Sequence, residues 1–116
     1  MRLSKLAALA GLPLLANPQN AAAAEIMRVC TANRISELLS EAAPTTLLVT
    51  ALANRHLAHV AELTESPAIC LANSVVPDAS LLEAARTRGL VLLTSPEDPA
   101  RTADRLYRAL QSEGGT

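Results

Sequence analysis

The 116-residue chain contains no Phe, no Trp and a single Tyr. Proteins that hold single-stranded nucleic acid stack bases on aromatic side chains, so this composition argues against that class. Neither charge is in excess: ten basic residues face eleven acidic ones, a formal charge of -1. Without a basic surplus little counterion release drives DNA or RNA binding, and no nucleic-acid partner is expected. Glycine is scarce too, at four residues, Gly11, Gly89, Gly114 and Gly115. None stands at an expected strand-to-helix turn. No Gly-x-Gly-x-x-Gly occurs, and no Gly-rich loop leads into a Lys-Ser/Thr pair. A kinase or nucleotide hydrolase of the usual kind is therefore excluded. So is a Gly-x-Ser-x-Gly nucleophile elbow.

Cysteine is limited to Cys30 and Cys70, far apart and outside any Cys-x-x-Cys. Each sits in an apolar run, where a free Cys behaves as a small hydrophobe, so buried reduced thiols are expected. Beyond the N-terminal segment no stretch reaches the eighteen apolar residues of a spanning helix. No membrane partner is expected.

Half of the residues are apolar, and Ala and Leu supply most of them. At this length there is room for one domain, placed at residues 1–112 with a disordered tail over 113–116. Its core must be aliphatic, with small Ala side chains letting helices lie close on a sheet. The N-terminus has two readings. A basic start, an apolar Leu6 to Ala16 and the Ala-x-Ala letters of Asn20 to Ala24 imitate a secretory signal peptide. Alternatively Ser4 caps a short amphipathic helix through Ala10, closed by Gly11, with Leu3, Leu6, Ala7 and Ala10 on one face. In that folded reading Leu6, Leu9 and Leu12 pack against the sheet, and the protein is cytoplasmic.

From residue 25 strand and helix patterns alternate. Strands are expected over Glu25 to Thr31, Thr46 to Thr50, Ala68 to Ala72 and Leu90 to Leu93; the middle two are short apolar runs suited to burial on both faces. Helices are expected over Arg34 to Ala42 after Asn33, Arg55 to Thr64 after Asn54, Pro77 to Arg88, and Ala100 to Gln111 after Asp98 and Pro99. Their inward stripes read Ile35, Leu38 and Leu39; Leu57, Val60, Ala61 and Leu63; Leu81, Leu82 and Ala85; and Ala103, Leu106, Tyr107 and Leu110. Strands separated by ten-residue helices mean βαβ units. The expected fold is a three-layer α/β domain, its mainly parallel sheet covered by helices on both faces.

His56 and His59, three apart on one helix, share a face, but metal pairs on helices are usually four apart with a third ligand nearby. A solvated face is expected, with no metal and no cofactor. More informative are the residues after each strand. In open parallel sheets ligands bind beyond the carboxyl ends of the strands, where helix N-termini offer free N–H groups to an anion. Those positions carry Thr31, Asn33, Thr50, Asn54, Asn73, Ser74, Thr94 and Ser95, with Arg55 as a charge partner for phosphate. The same residue types also cap helices and make turns. No general base or nucleophile accompanies them, so binding without catalysis is expected.

In this order the chain resembles the DRTGG-domain family. The matching letters are LSKLAALAGLPLL at Leu3 to Leu15, ISELLSEA at Ile35 to Ala42 and LLVTALANRHLAHVAEL at Leu47 to Leu63. They continue with PDASLLEAARTRGLVLLTS at Pro77 to Ser95 and TADRLYRAL at Thr102 to Leu110. They are colinear and span nearly the whole chain. The eponymous letters are absent, and Asn73-Ser74 stand where relatives often have glycines. The resemblance implies a fold similar to the N-terminal domain of HPr kinase and a homodimer. It also implies a regulatory or sensing role, through a small anion such as an adenine nucleotide or through a partner enzyme. Free-standing relatives look like accessory proteins encoded beside iron–sulfur hydrogenases, which makes such a complex the partner implied. Two alternatives stand beside it: a component of an HPr-kinase-related serine kinase, and a secreted α/β domain should the N-terminus be a signal.

Overall fold

A computed structural model describes residues 1–32, 34–52 and 56–114. The chain forms α1 (Leu3–Ala10), β1 (Leu14–Ala16), α2 (Pro18–Ala21), β2 (Arg28–Thr31), α3 (Ile35–Glu41) and β3 (Thr46–Thr50). There follow α4 (Leu57–Thr64), β4 (Ala68–Leu71), α5 (Ala79–Arg88), β5 (Val91–Thr94) and α6 (Pro99–Gly114). One five-stranded sheet of order β1-β5-β4-β3-β2 results. β2 to β5 are parallel, and β1 lies antiparallel against β5 at the edge. The α/β expectation with a mainly parallel sheet is met.

Connectivity dictates which helix covers which face. From β2 to β5 each strand is laid beside its predecessor in the same direction, so crossovers of one hand must all pass on one face. α3, α4 and α5 accordingly bury Leu38, Leu57, Val60, Ala61, Leu81, Ala84 and Ala85 against Cys30, Leu48, Ile69, Leu71 and Leu92. The opposite face carries Val29, Leu47, Val49, Ala68, Cys70, Val91 and Leu93, alternating with the first set. Only the chain's two ends remain to cover it. α1 supplies Leu3, Leu6, Ala7 and Ala10, and α6 supplies Ala103, Leu106 and Ala109.

Residues 1–24 are thus an integral part of the core, and Leu3 and Leu6 are fully buried. Ser4 does not cap α1. The helix begins one residue earlier, behind Arg2, and is tied in by the Leu3 N–H donating to the Ala24 carbonyl at 2.9 Å. Gly11 closes it as expected, at φ 70. Leu12 is buried but Leu9 is 53% exposed, so one of the three leucines expected on the sheet faces out. Leu39, Leu63 and Leu82 are also exposed, as is the ring of Tyr107, and Leu110 is only partly buried. The leucines stand at the flanks of their helical stripes, outside the contact that the buried residues of each helix make.

Asp78 and Asp98 act as caps, accepting from the Leu81 and Arg101 N–H groups at 2.8 Å each. The strand ending at Thr31 begins at Arg28 rather than Glu25, and the last strand is Val91–Thr94. α6 continues through Gly114, into the segment expected to be a tail. Cys30 and Cys70 are buried and unlinked, as expected. They belong to clusters on opposite faces, and burial pushes the Cys70 thiol up to about 12. Among the described residues no helix is long and apolar enough to cross a membrane.

Candidate functional site

Parallel strands send the loops that follow them to one edge of the sheet. The point of interest there is the gap between β4 and β5. The connection after β4 leaves toward the face of α5, and the one after β5 leaves toward the opposite face, where α6 packs. Such divergence normally opens a crevice. Here the backbone closes it. The Ser95 N–H donates to the Leu71 carbonyl at 2.9 Å, while on the β3 side of β4 the Ala72 N–H donates to the Thr50 carbonyl at the same distance. Beyond them the Asn73 N–H reaches the Glu97 carbonyl at 2.8 Å and the Ser74 N–H reaches that of Ser95 at 2.9 Å. The two loops are zipped together past the ends of the strands.

The hydroxyls expected to face a ligand take part in this closure. Thr50 is fully buried; its Oγ1 donates to the Ala32 carbonyl at 2.9 Å and accepts from the Leu52 N–H at 3.1 Å. Ser95 is likewise buried, its Oγ 2.8 Å from Thr102 Oγ1 and accepting from the Glu97 N–H at 3.2 Å. Thr94 is half-buried at the end of β5, and its N–H donates to the Pro13 carbonyl. Asn54 and Arg55 lie outside the described residues, as do Asn33 and Ala53.

Asn73 and Ser74 differ from the rest. Both are exposed, with φ values of 56 and 54, and the Val75 N–H donates to the Ala72 carbonyl at 3.1 Å. These are the φ signs and the bond of a type I′ turn, a conformation that Gly or Asn adopts readily and Ser does not. Val76, 79% exposed, stands beside it. Carboxylates stand at this edge: Asp78 and Asp98 cap α5 and α6, and Glu37 and Asp98 line a hollow of about 380 Å³ with Thr31 and Ala32. Of the four helices that begin at this edge, α3 and α4 lack a side-chain cap from their N-cap residues, Arg34 and His56.

Toward the opposite, amino edge lies a larger cleft, of about 500 Å³, between α4 and α5 and bordered by Asn20, Ala23 and Ala24. Ala58, Ala61 and Ala84 form its walls, and Glu62, Glu65 and Arg88 are at hand. Asn20 lies beside it, donating to the Gly89 carbonyl at 2.8 Å. Gly89 is required there: at φ +73, an added Cβ would sit 2.3 Å from Asn20 Nδ2. Nothing in the alanine-rich letters announced this cleft. The signal that could have found it is the run of small residues on the facing turns of two consecutive helices.

His59 Nδ1 is 3.8 Å from Glu62 Oε2, and no group of three or more His, Cys, Asp or Glu among the described residues could hold a metal. The molecule is thus an open, mostly parallel α/β sheet with a closed carboxyl edge and a cleft at its amino edge. No protein-family model matches the chain, and no curated protein matches it.

Proposed function

We propose that the chain is a non-catalytic regulatory or sensing module of the DRTGG type that docks a partner enzyme over the carboxyl edge of its sheet. The observation that carries this reading is the exposed turn at Ala72 to Val75. Two consecutive non-glycine residues hold positive φ there, on a platform closed by its own hydrogen bonds. Strain of this kind persists where the surrounding structure enforces it, and it concentrates at recognition sites. A projecting turn flanked by exposed Val76 suits a protein surface better than an enclosed small molecule. The turn also supports the family reading, because Asn73 and Ser74 stand where relatives often have glycines, and their φ values are those glycine serves.

The partner proposed is a cytoplasmic redox enzyme of the iron–sulfur hydrogenase kind, met by a homodimer of this chain. A photo-crosslinking residue placed at Asn73 in cells is expected to give one discrete enzyme adduct, and the same residue at Glu83 on α5 none. Equal labelling from both positions, or none from Asn73, would overturn the reading.

One observation favours a second ligand class. The N-terminus of α4 lacks a side-chain cap from His56, unlike those of α5 and α6, and Asn54 and Arg55 immediately precede it in sequence. Titration with AMP and ATP that shifts only the first-turn amides of α4 would establish an adenine nucleotide as the ligand.

A further inference from the structure

We propose that the amino-edge cleft is a second binding site, one that takes a protonated aliphatic amine. It is independent of the carboxyl-edge reading, being at the other end of the strands. Its shape comes first. The cleft holds about 500 Å³, and alanines on both walls, Ala58 and Ala61 from α4 and Ala84 from α5, give it an apolar lining without side chains long enough to fill it. An alkyl stem fits such walls.

Electrostatics then select the head group. α4 ends at Thr64 behind Glu65, and α5 ends at Arg88 behind Gly89, each through a residue in the left-handed region. Both helices therefore direct their carbonyl ends toward this edge, where a helix end carries the equivalent of roughly half a negative charge. At the α5 end the Ala85 and Gly89 carbonyls already accept from the Asn17 and Asn20 amides. Among the described residues no side chain is seen to do the same for the carbonyls of Ala61 to Thr64, at the α4 end beside Glu65. Two carboxylates, Glu62 and Glu65, line the cleft against one guanidinium, that of Arg88. Arg88 Nη2 lies 2.6 Å from Glu62 Oε2, so the cation already present is paired with one of the two acids. Glu65 has no ion pair among the described residues. An anion would meet the Glu65 carboxylate and the carbonyl end of α4. A neutral molecule would leave the field unanswered. An ammonium beside Glu65, with its stem along the alanines, satisfies both features.

The chemistry could come from a free alkylamine or from the lysine side chain of a peptide, and the probes separate these. Pentylamine followed by amide NMR is expected to move Ala61, Glu65, Ser66 and Gly89 in a saturable way at millimolar concentration. Pentanol, of the same shape without charge, is expected not to. Glu65→Gln weakens pentylamine binding about threefold, the scale of one exposed charge pair. Arg88→Gln frees Glu62 and tightens it by a similar factor. Both residues are surface-exposed, so unchanged amide spectra elsewhere show that the variants fold. Binding of Nα-acetyl-lysine amide, whose side-chain ammonium is free, as well as pentylamine assigns the site to a partner's lysine; pentylamine alone binding assigns it to free amines. The proposal is overturned if no probe moves these amides at about 10 mM. Pentanol matching pentylamine would overturn it too, as would a failure of the two substitutions to move affinity in opposite directions.

Discussion

The two edges of the sheet use opposite kinds of residue and end in opposite states. The carboxyl edge is rich in Thr, Ser and Asn, yet its buried hydroxyls are engaged by backbone groups and its crevice is zipped shut. The amino edge is written largely in alanine, and it holds a cleft of about 500 Å³. Polar residues in a loop therefore mark where the chain has hydrogen bonds to satisfy. Open space is set by side-chain size on the helices that flank it. The recognition proposed for the first edge falls to a projecting turn, and that proposed for the second to a cleft lined by Glu62, Glu65 and Arg88.

The largest effect expected belongs to neither edge and sets a scale for both. Cys70 lies in the middle of β4, and burial raises its thiol from 9.0 to about 12. A raised folded-state value contributes stability that is complete below the unfolded value and is lost as pH climbs toward the folded one. Between pH 9 and 12 the protein should lose about 1.4 kcal/mol per pH unit, about 4 kcal/mol in all. Urea unfolding at several alkaline pH values measures this. Cys70→Val should remove most of the slope, and an unchanged slope would assign the loss elsewhere.

Next comes Thr50→Val, which keeps the shape but strands the Ala32 carbonyl and the Leu52 N–H. Each buried unsatisfied group costs roughly 1–3 kcal/mol, so a loss of about 3 kcal/mol is expected in chemical denaturation. A loss under about 0.5 kcal/mol, typical of surface changes, would mean that the hydroxyl is free for a ligand after all.

Ser74→Gly should act in the opposite direction, stabilising by about 1 kcal/mol because glycine adopts positive φ without strain. If the turn recognises a partner, the same change should weaken crosslinking from Asn73 while raising the melting temperature. The smallest effect is at the amino edge. Arg88→Gln removes an exposed ion pair, both partners being 46% accessible, and should change stability by less than about 1 kcal/mol.

Much of the fold was legible because burial on both faces leaves apolar runs. Thr46–Thr50 was placed at both ends from its letters alone. The cap Asp98 was legible for an equally local reason, a short carboxylate before Pro and a helical pattern; Asp78 was read as part of a helix starting at Pro77, whereas it caps one that starts at Ala79. β1 and α2 were not placed from pattern. They are three and four residues long, and the apolar letters around them imitate a leader. Asn17 was missed for the same reason, although its side chain donates to the Ala85 and Leu90 carbonyls and fastens α2 to the sheet's amino edge. The candidate site was legible only as a set of residue types. Thr and Ser at strand ends read alike whether they bind a ligand or a backbone, and only the contacts of Thr50 and Ser95 separate the two. Leu9, Leu39, Leu63 and Leu82 were assigned inward because periodicity counts leucine and alanine as one stripe without saying which part of it touches the sheet.

The claim on which the contrast rests is that the carboxyl edge is closed by its own backbone, and amide hydrogen exchange tests it most directly. The Asn73 and Ser74 side chains are exposed, yet their N–H groups donate to Glu97 and Ser95. Both amides are therefore predicted to exchange at least about a hundredfold more slowly than in an unstructured peptide, consistent with opening that costs several kcal/mol. Exchange of either at the unprotected rate would show that the loops after β4 and β5 stand apart, with an open crevice between them.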